Sequence, residues 1–180
     1  MNGIKKTISI LICLILGFFS YPQFVHADFP QYLVDEMKKE EGDCGRLIIP
    51  DLSISVALYD INNKSSDEGQ KITDDDDSAA WCYNQAYYGH PCRVAIADHN
   101  FQGFERIAAA VPGVTNAYLL KDGILSEYLC KAKYSGYNKL KYVSDAFGND
   151  IIDLSSKDII VYTCKFGWEV IDIIELTPLF

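Results

Sequence analysis

Residues 158–176 read DIIVYTC-KFG-WEVIDIIEL, two runs rich in β-branched and aromatic side chains with Lys165, Phe166 and Gly167 between them. Valine, isoleucine, tyrosine and tryptophan suit a pleated, half-buried surface. The runs are short, Ser155 and Ser156 precede the first, and Phe166-Gly167 makes a very tight turn. The stretch therefore reads as strand, turn, strand. Cys164 ends the first strand, where pairing holds its backbone while the adjacent turn leaves the sulfur accessible.

Outward from this pair the same grammar recurs. Residues 93–97 (RVAIA) form a compact apolar strand that runs into Asp98, His99 and Asn100. Residues 114–120 and 124–133 flank Lys121-Asp122-Gly123, a hairpin signal because Asp-Gly accepts positive φ. Residues 46–49 are a short strand stopped by Pro50. Ile54, Val56 and Leu58 alternate with Ser53, Ser55 and Ala57, the pattern of a half-buried strand. Helix is scarce. Residues 30–41 place Leu33, Val34 and Met37 at helical spacing before Gly42, and residues 104–111 allow one or two helical turns before Pro112-Gly113. Residues 62–69 are polar and turn-rich and read as a loop. The pattern predicts a mostly β domain, a closed or nearly closed β-barrel with one N-terminal helix and short helical turns.

The N-terminus carries a different message. Lys5 and Lys6 precede an uncharged apolar run at residues 8–19, and Val25-His26-Ala27 offers small residues for cleavage. That order is a secretory signal peptide. The run falls short of the about 20 residues that span a bilayer comfortably. An uncleaved anchor over residues 4–24 is the alternative. The expected organisation is a signal peptide at 1–27, a helix and lead-in at 28–44, and a barrel at 45–180, with the protein secreted or held at the cell surface. Residues 1–27 hold two lysines and no acid, so the net charge of −9 becomes −11 in the remainder. Such an excess of acid excludes nucleic acid and anionic membrane surfaces as natural partners.

Without Cys13, five cysteines remain: Cys44, Cys82, Cys92, Cys130 and Cys164. An odd number in an exported protein leaves at least one thiol unpaired within the chain. Cys82 and Cys92 flank a tyrosine-containing loop (Tyr83, Tyr87, Tyr88) and are the best local disulfide candidate. Cys44 and Cys130 are then left over, though spacing does not choose among the pairings. Asp74, Asp75, Asp76 and Asp77 form a block of carboxylates. A solvated acidic loop is the first reading and Ca²⁺ the second, since the alternating ligand spacing and glycine of an EF-hand are missing.

A reactive thiol needs a proton acceptor nearby. A free cysteine titrates at about 8.5 and an imidazole at about 6.5, so proximity of the two sustains chemistry at neutral pH. His90 lies in the loop between Cys82 and Cys92, whereas His99 ends an apolar strand, as Cys164 does. His99 and Cys164 are the candidate catalytic pair.

Several segments, in order, are similar to the sortase family. Residues 45–54 (GRLIIPDLSI) resemble the opening strands, with their Gly-x-Leu-x-Ile-Pro run. Residues 94–100 (VAIADHN) resemble the strand ending in the family's histidine, which glycine usually precedes. Residues 159–164 (IIVYTC) resemble the Leu-x-Thr-Cys strand that carries the nucleophile. The resemblance covers roughly residues 45–176. It implies that Cys164 attacks the threonine carbonyl of a sorting motif and that His99 protonates the departing glycine amine. An amine acceptor, such as a cell-wall precursor or a pilin lysine, then resolves the thioester. No metal or organic cofactor is needed, and the membrane enters only through the N-terminal segment.

The match departs from the family at one point. The strand after Cys164 contains no arginine, where the family uses one to bind substrate and stabilise the oxyanion. Arg93 shares strand parity with His99 but lies about 20 Å away along a strand. Asn100 is the candidate donor in its place. The alternative reading is a catalytically impaired sortase-like domain that binds an extracellular peptide or protein.

Overall fold

The computed structural model describes residues 30–62, 64–82, 93–138, 143–153, 156–166 and 169–179, without the side chains of Cys82 and Phe166. The fold belongs to the unit Tyr32–Phe180. Its strands are β1 (Gly45–Ile49), β2 (Ile54–Asp60), β3 (Ser78–Cys82), β4 (Val94–Asp98), β5 (Asn116–Lys121), β6 (Ile124–Asn138), β7 (Val143–Ser144), β8 (Ile159–Phe166) and β9 (Val170–Pro178). Hydrogen bonding orders them β5-β1-β2-β3-β4-β8-β9-β6, and β6 pairs back onto β5. The ring is a closed barrel, with β7 added outside on β6. Closure removes the unpaired edges that an open sheet would present.

Local chemistry sets the corners. Pro50 stops β1 and opens a 3-10 turn, Pro50–Leu52, after which Ser53 takes φ 54°. Between β5 and β6, Asp122 and Gly123 take φ 51° and 73°, the turn expected of Asp-Gly. Gly45 begins β1 at φ 105°, and a Cβ there would lie 2.3 Å from the Leu120 carbonyl oxygen on β5. Gly45→Ala is therefore expected to destabilise the barrel by about 2 kcal/mol, read as a lower urea midpoint.

The barrel interior holds Leu47, Ile49, Val56, Leu58, Ile96, Phe104, Val161, Ile174 and Leu176, all essentially buried. On β4, β8 and β9 several alternate positions are covered as well. Ala95, Ile160, Ile171 and Ile173 pack outside the barrel against Val143, Ile151 and Ile152. β8 and β9 are thus covered on both faces, which is why their sequences run apolar instead of alternating.

Among the described residues two α-helices accompany the strands. α1 (Gln31–Glu36) is shorter than its periodicity suggested, and turns follow it. α2 (Ser66–Thr73) stands partly where a loop was expected over 62–69. Ser65 caps it: its side chain accepts the Glu68 amide, and the Glu68 carboxylate accepts the Ser65 amide at 2.8 Å. α2 buries no residue, so it lacks the apolar stripe that periodicity detects. The capping box was its one legible mark. Residues 104–111 contain a single 3-10 turn, Ile107–Ala109.

Candidate functional site

β4 and β8 lie side by side and parallel, in register from Val94 with Ile159 to Asp98 with Thr163. His99 and Cys164 are the residues that follow the last pair of this ladder. Parity agrees: Ala95 and Ile160 both face outward, so His99 and Cys164 do too, and Cys164 packs against that outer cluster. The strands stay together beyond their ladder. The buried Thr163 hydroxyl donates to the Asp98 main-chain oxygen at 2.7 Å, and Asn100 Nδ2 reaches the Lys165 carbonyl at 3.5 Å. The backbone positions of His99, Asn100 and Cys164 therefore lie at the same end of β4 and β8.

The side chains are not engaged with one another. His99 stacks on Phe101, with ring centroids 4.9 Å apart and planes 9° from parallel. Its Nε2 lies 3.0 Å from Gln70 Nε2 and 3.5 Å from Asp74 Oδ1, both supplied by the C-terminal end of α2. Among the described residues no hydrogen bond joins the imidazole to Cys164 Sγ. Cys164 is half-buried, and burial pushes its thiol above the usual cysteine range. At pH 7, iodoacetamide is accordingly expected to label Cys164 more slowly in the folded protein than in the denatured chain, with the difference narrowing above pH 9.

Among the described residues no cation stands in for the absent arginine. β9 sets Ile171 opposite Cys164 and Asp172 opposite Thr163. Asp172 takes an ion pair from Lys165 at 3.3 Å. Arg93 sits at the far end of β4, 2.7 Å from Glu175 and 3.7 Å from Asp158, and Lys131 completes the cluster. Burial would raise the Asp158 carboxyl, but hydrogen bonds with Lys131, Thr177 and Glu175, together with the Lys131 charge, outweigh it and bring the pKa to about 2. Arg46 is spent on the Glu40 carbonyl and the Ser55 hydroxyl, and Arg106 is exposed. A cavity of about 440 Å³ opens on the outer face, lined by Arg93, Tyr134, Phe147, Ile151 and Glu175.

The remaining candidates separate. Cys44 and Cys130 are free thiols, so the leftover disulfide does not form. They sit on a core cluster without bonding, Cys130 fully buried in it. The Cys82–Cys92 bridge, with Tyr83, Tyr87, Tyr88 and His90, lies outside the described residues, as do residues 1–29. The four aspartates do not converge. Asp74 turns to Gln70 and His99, Asp75 accepts the Asp77 amide, and Asp76 accepts the Gln102 side chain. Among the described residues no three candidate ligands gather to hold a metal ion, and no helix is long and apolar enough to cross a membrane.

Two residues at the site carried no chemical reading in the sequence. Gln70 lies on the helix taken for a loop. Asp98 shares the inward parity of Val94 and Ile96, which was a legible sign that its carboxyl enters the barrel. Its exposure is 5%. Burial lifts its pKa to about 7 against the hydrogen bond from the His99 amide.

The architecture is that of the sortases. The chain is similar to a sortase D5 transpeptidase of Clostridium perfringens, at TM-score 0.52 and 12% identity over 85% of this chain and 91% of that one. It is similar to sortase C1 of Streptococcus agalactiae, at TM-score 0.54 and 11% identity over 83% and 76%. A lid mutant of sortase A from Corynebacterium diphtheriae gives 0.51 and 13% over 82% and 75%. No protein-family model matches the sequence, and no curated protein matches it.

Proposed function

We propose that this chain is an extracellular, sortase-like cysteine transpeptidase that cleaves a sorting motif through a thioester on Cys164 and passes the acyl group to an amine. One observation supports this above the rest: the parallel β4–β8 register ends with Asp98 opposite Thr163, the residues immediately before His99 and Cys164, although 65 residues separate that pair in sequence. Cys164 Sγ attacks the scissile carbonyl carbon, and its proton passes to the His99 imidazole. The C–N bond then breaks, its electron pair leaves with nitrogen, and His99 returns the proton to that amine. An incoming amine, from a cell-wall precursor or a pilin lysine, reverses these steps on the thioester. In the resting geometry the imidazole faces α2, so the reaction requires it to turn toward the sulfur. Donors for the oxyanion come from Asn100 or from main-chain amides, since β9 offers no arginine.

A second reading has its own support in the raised Cys164 thiol and the lack of an arginine on β9: a sortase-like domain that binds an extracellular peptide or protein without chemistry. One experiment separates the two. The full chain is incubated with a panel of sorting-motif peptides and its intact mass recorded. A hydroxylamine-sensitive adduct of acyl-fragment mass, absent from Cys164→Ala, is the expected result. Peptide binding that persists in Cys164→Ala, with no adduct from any peptide, would replace the transpeptidase by the binding module.

A further inference from the structure

We propose that Asp98 is a positioning residue that sets the turn carrying His99, a role that rests on the reading of His99 as the proton carrier. The carboxyl touches both ends of that turn. Oδ1 accepts the His99 amide at 2.7 Å. Oδ2 lies under Gly103, where a Cβ would stand 2.3 Å from it and 2.7 Å from Val56 Cγ1. The main-chain oxygen of Asp98 accepts Thr163 Oγ1, from the residue preceding Cys164. One residue thus ties the nucleophile's strand, the start of the histidine turn and its close.

Among the described residues no ion pair accounts for a carboxyl in this place. Val56 of β2 shares with Oδ2 the space above Gly103, and Thr163 of β8 donates to the Asp98 main-chain oxygen; neither is charged. The charged groups acting on it are Asp75 and Asp76, both of its own sign. The Gly103 amide approaches the carboxylate, yet Oδ2 makes no hydrogen bond of acceptable geometry. A buried acid with like-charged neighbours and a half-satisfied carboxylate is costly unless its geometry is used. The geometry used here is that of residues 99–103, which present the His99 ring stacked on Phe101.

The test follows the His99 ring by NMR in the full chain, its imidazole protons identified by their loss in His99→Ala and displaced upfield by the Phe101 stack. Asp98→Asn keeps an acceptor for the His99 amide and is expected to leave those resonances in place. Asp98→Ala removes it and is expected to move them toward their unstacked positions and to slow thioester formation at least tenfold. Resonances that stay put in a folded Asp98→Ala overturn the proposal, and so does an equal displacement in both variants. Should Asp98→Ala fail to fold, Gly103→Ala drives a methyl into Oδ2 from the opposite side. Displacement there supports the proposal, and unmoved resonances overturn it. A wild type that forms no thioester while its resonances respond as described would defeat the catalytic reading and still support the positioning of the turn.

Discussion

Phe104→Ala is expected to cost about 3–5 kcal/mol, the range for removing a fully buried aromatic ring. Domains of this kind are stable by about 5–15 kcal/mol, so the loss takes a large share of the total. Phe104 has no exposed surface, and it belongs to the cluster that fills the barrel with Val56, Ile96, Val161 and Leu176. Neighbours held in closed strands relax poorly into the gap, because each is fixed by pairing on both sides. The side chain also plugs in the segment that leaves β4, directly after the turn of residues 99–103, and its carbonyl accepts the Ile107 amide at 3.1 Å. Urea unfolding should show a lower midpoint at unchanged slope. The same variant should broaden the His99 resonances below the transition, because the turn loses its inner anchor.

Asp98→Asn is expected to gain stability over the wild type as pH rises from about 4 to about 7, and to hold that gain above. The sign follows from proton binding. The folded chain keeps its Asp98 proton up to a pKa of about 7, whereas the unfolded chain releases it near 3.8. Within that interval the folded state binds more protons, so its stability falls as pH increases. The full penalty corresponds to roughly 4 kcal/mol at most. Below pH 4 both forms are neutral and nearly isosteric, and the two proteins should unfold together. Subtracting the two pH profiles isolates this one group from the opposite contribution of Asp158, whose lowered carboxylate stabilises the fold until pH drops through about 2. Parallel profiles from pH 4 to 8 would show that Asp98 does not titrate as its burial requires.

Much of the barrel was legible because its strands announce themselves locally. Residues 158–176, the Asp122-Gly123 hairpin and the alternation over 53–58 each needed only neighbouring side chains to be read. β3 is different. Ser78-Ala79-Ala80-Trp81-Cys82 has weak intrinsic strand preference, and pairing with β2 and β4 imposes its extended form. α2 escaped for the opposite reason, being a surface helix with nothing to bury. At the site, His99 and Cys164 were legible as polar ends of apolar strands. The register that makes them neighbours was not, because it depends on a pairing between distant segments. Nor was the direction of the imidazole, which Gln70 and Asp74 decide from a helix that composition did not reveal.

The β4–β8 junction also bears on how the molecule comes to be made. Parallel neighbours cannot be joined by a tight turn, and here the intervening chain includes the whole β5–β6 hairpin and β7. Closing so long a loop costs entropy before any contact rewards it. The β5–β6 and β8–β9 hairpins are free to form early, while the β4–β8 seam waits for ring closure. A nascent or partly refolded chain therefore carries Cys164 on a finished hairpin before β4, the strand that leads into His99, has paired beside it.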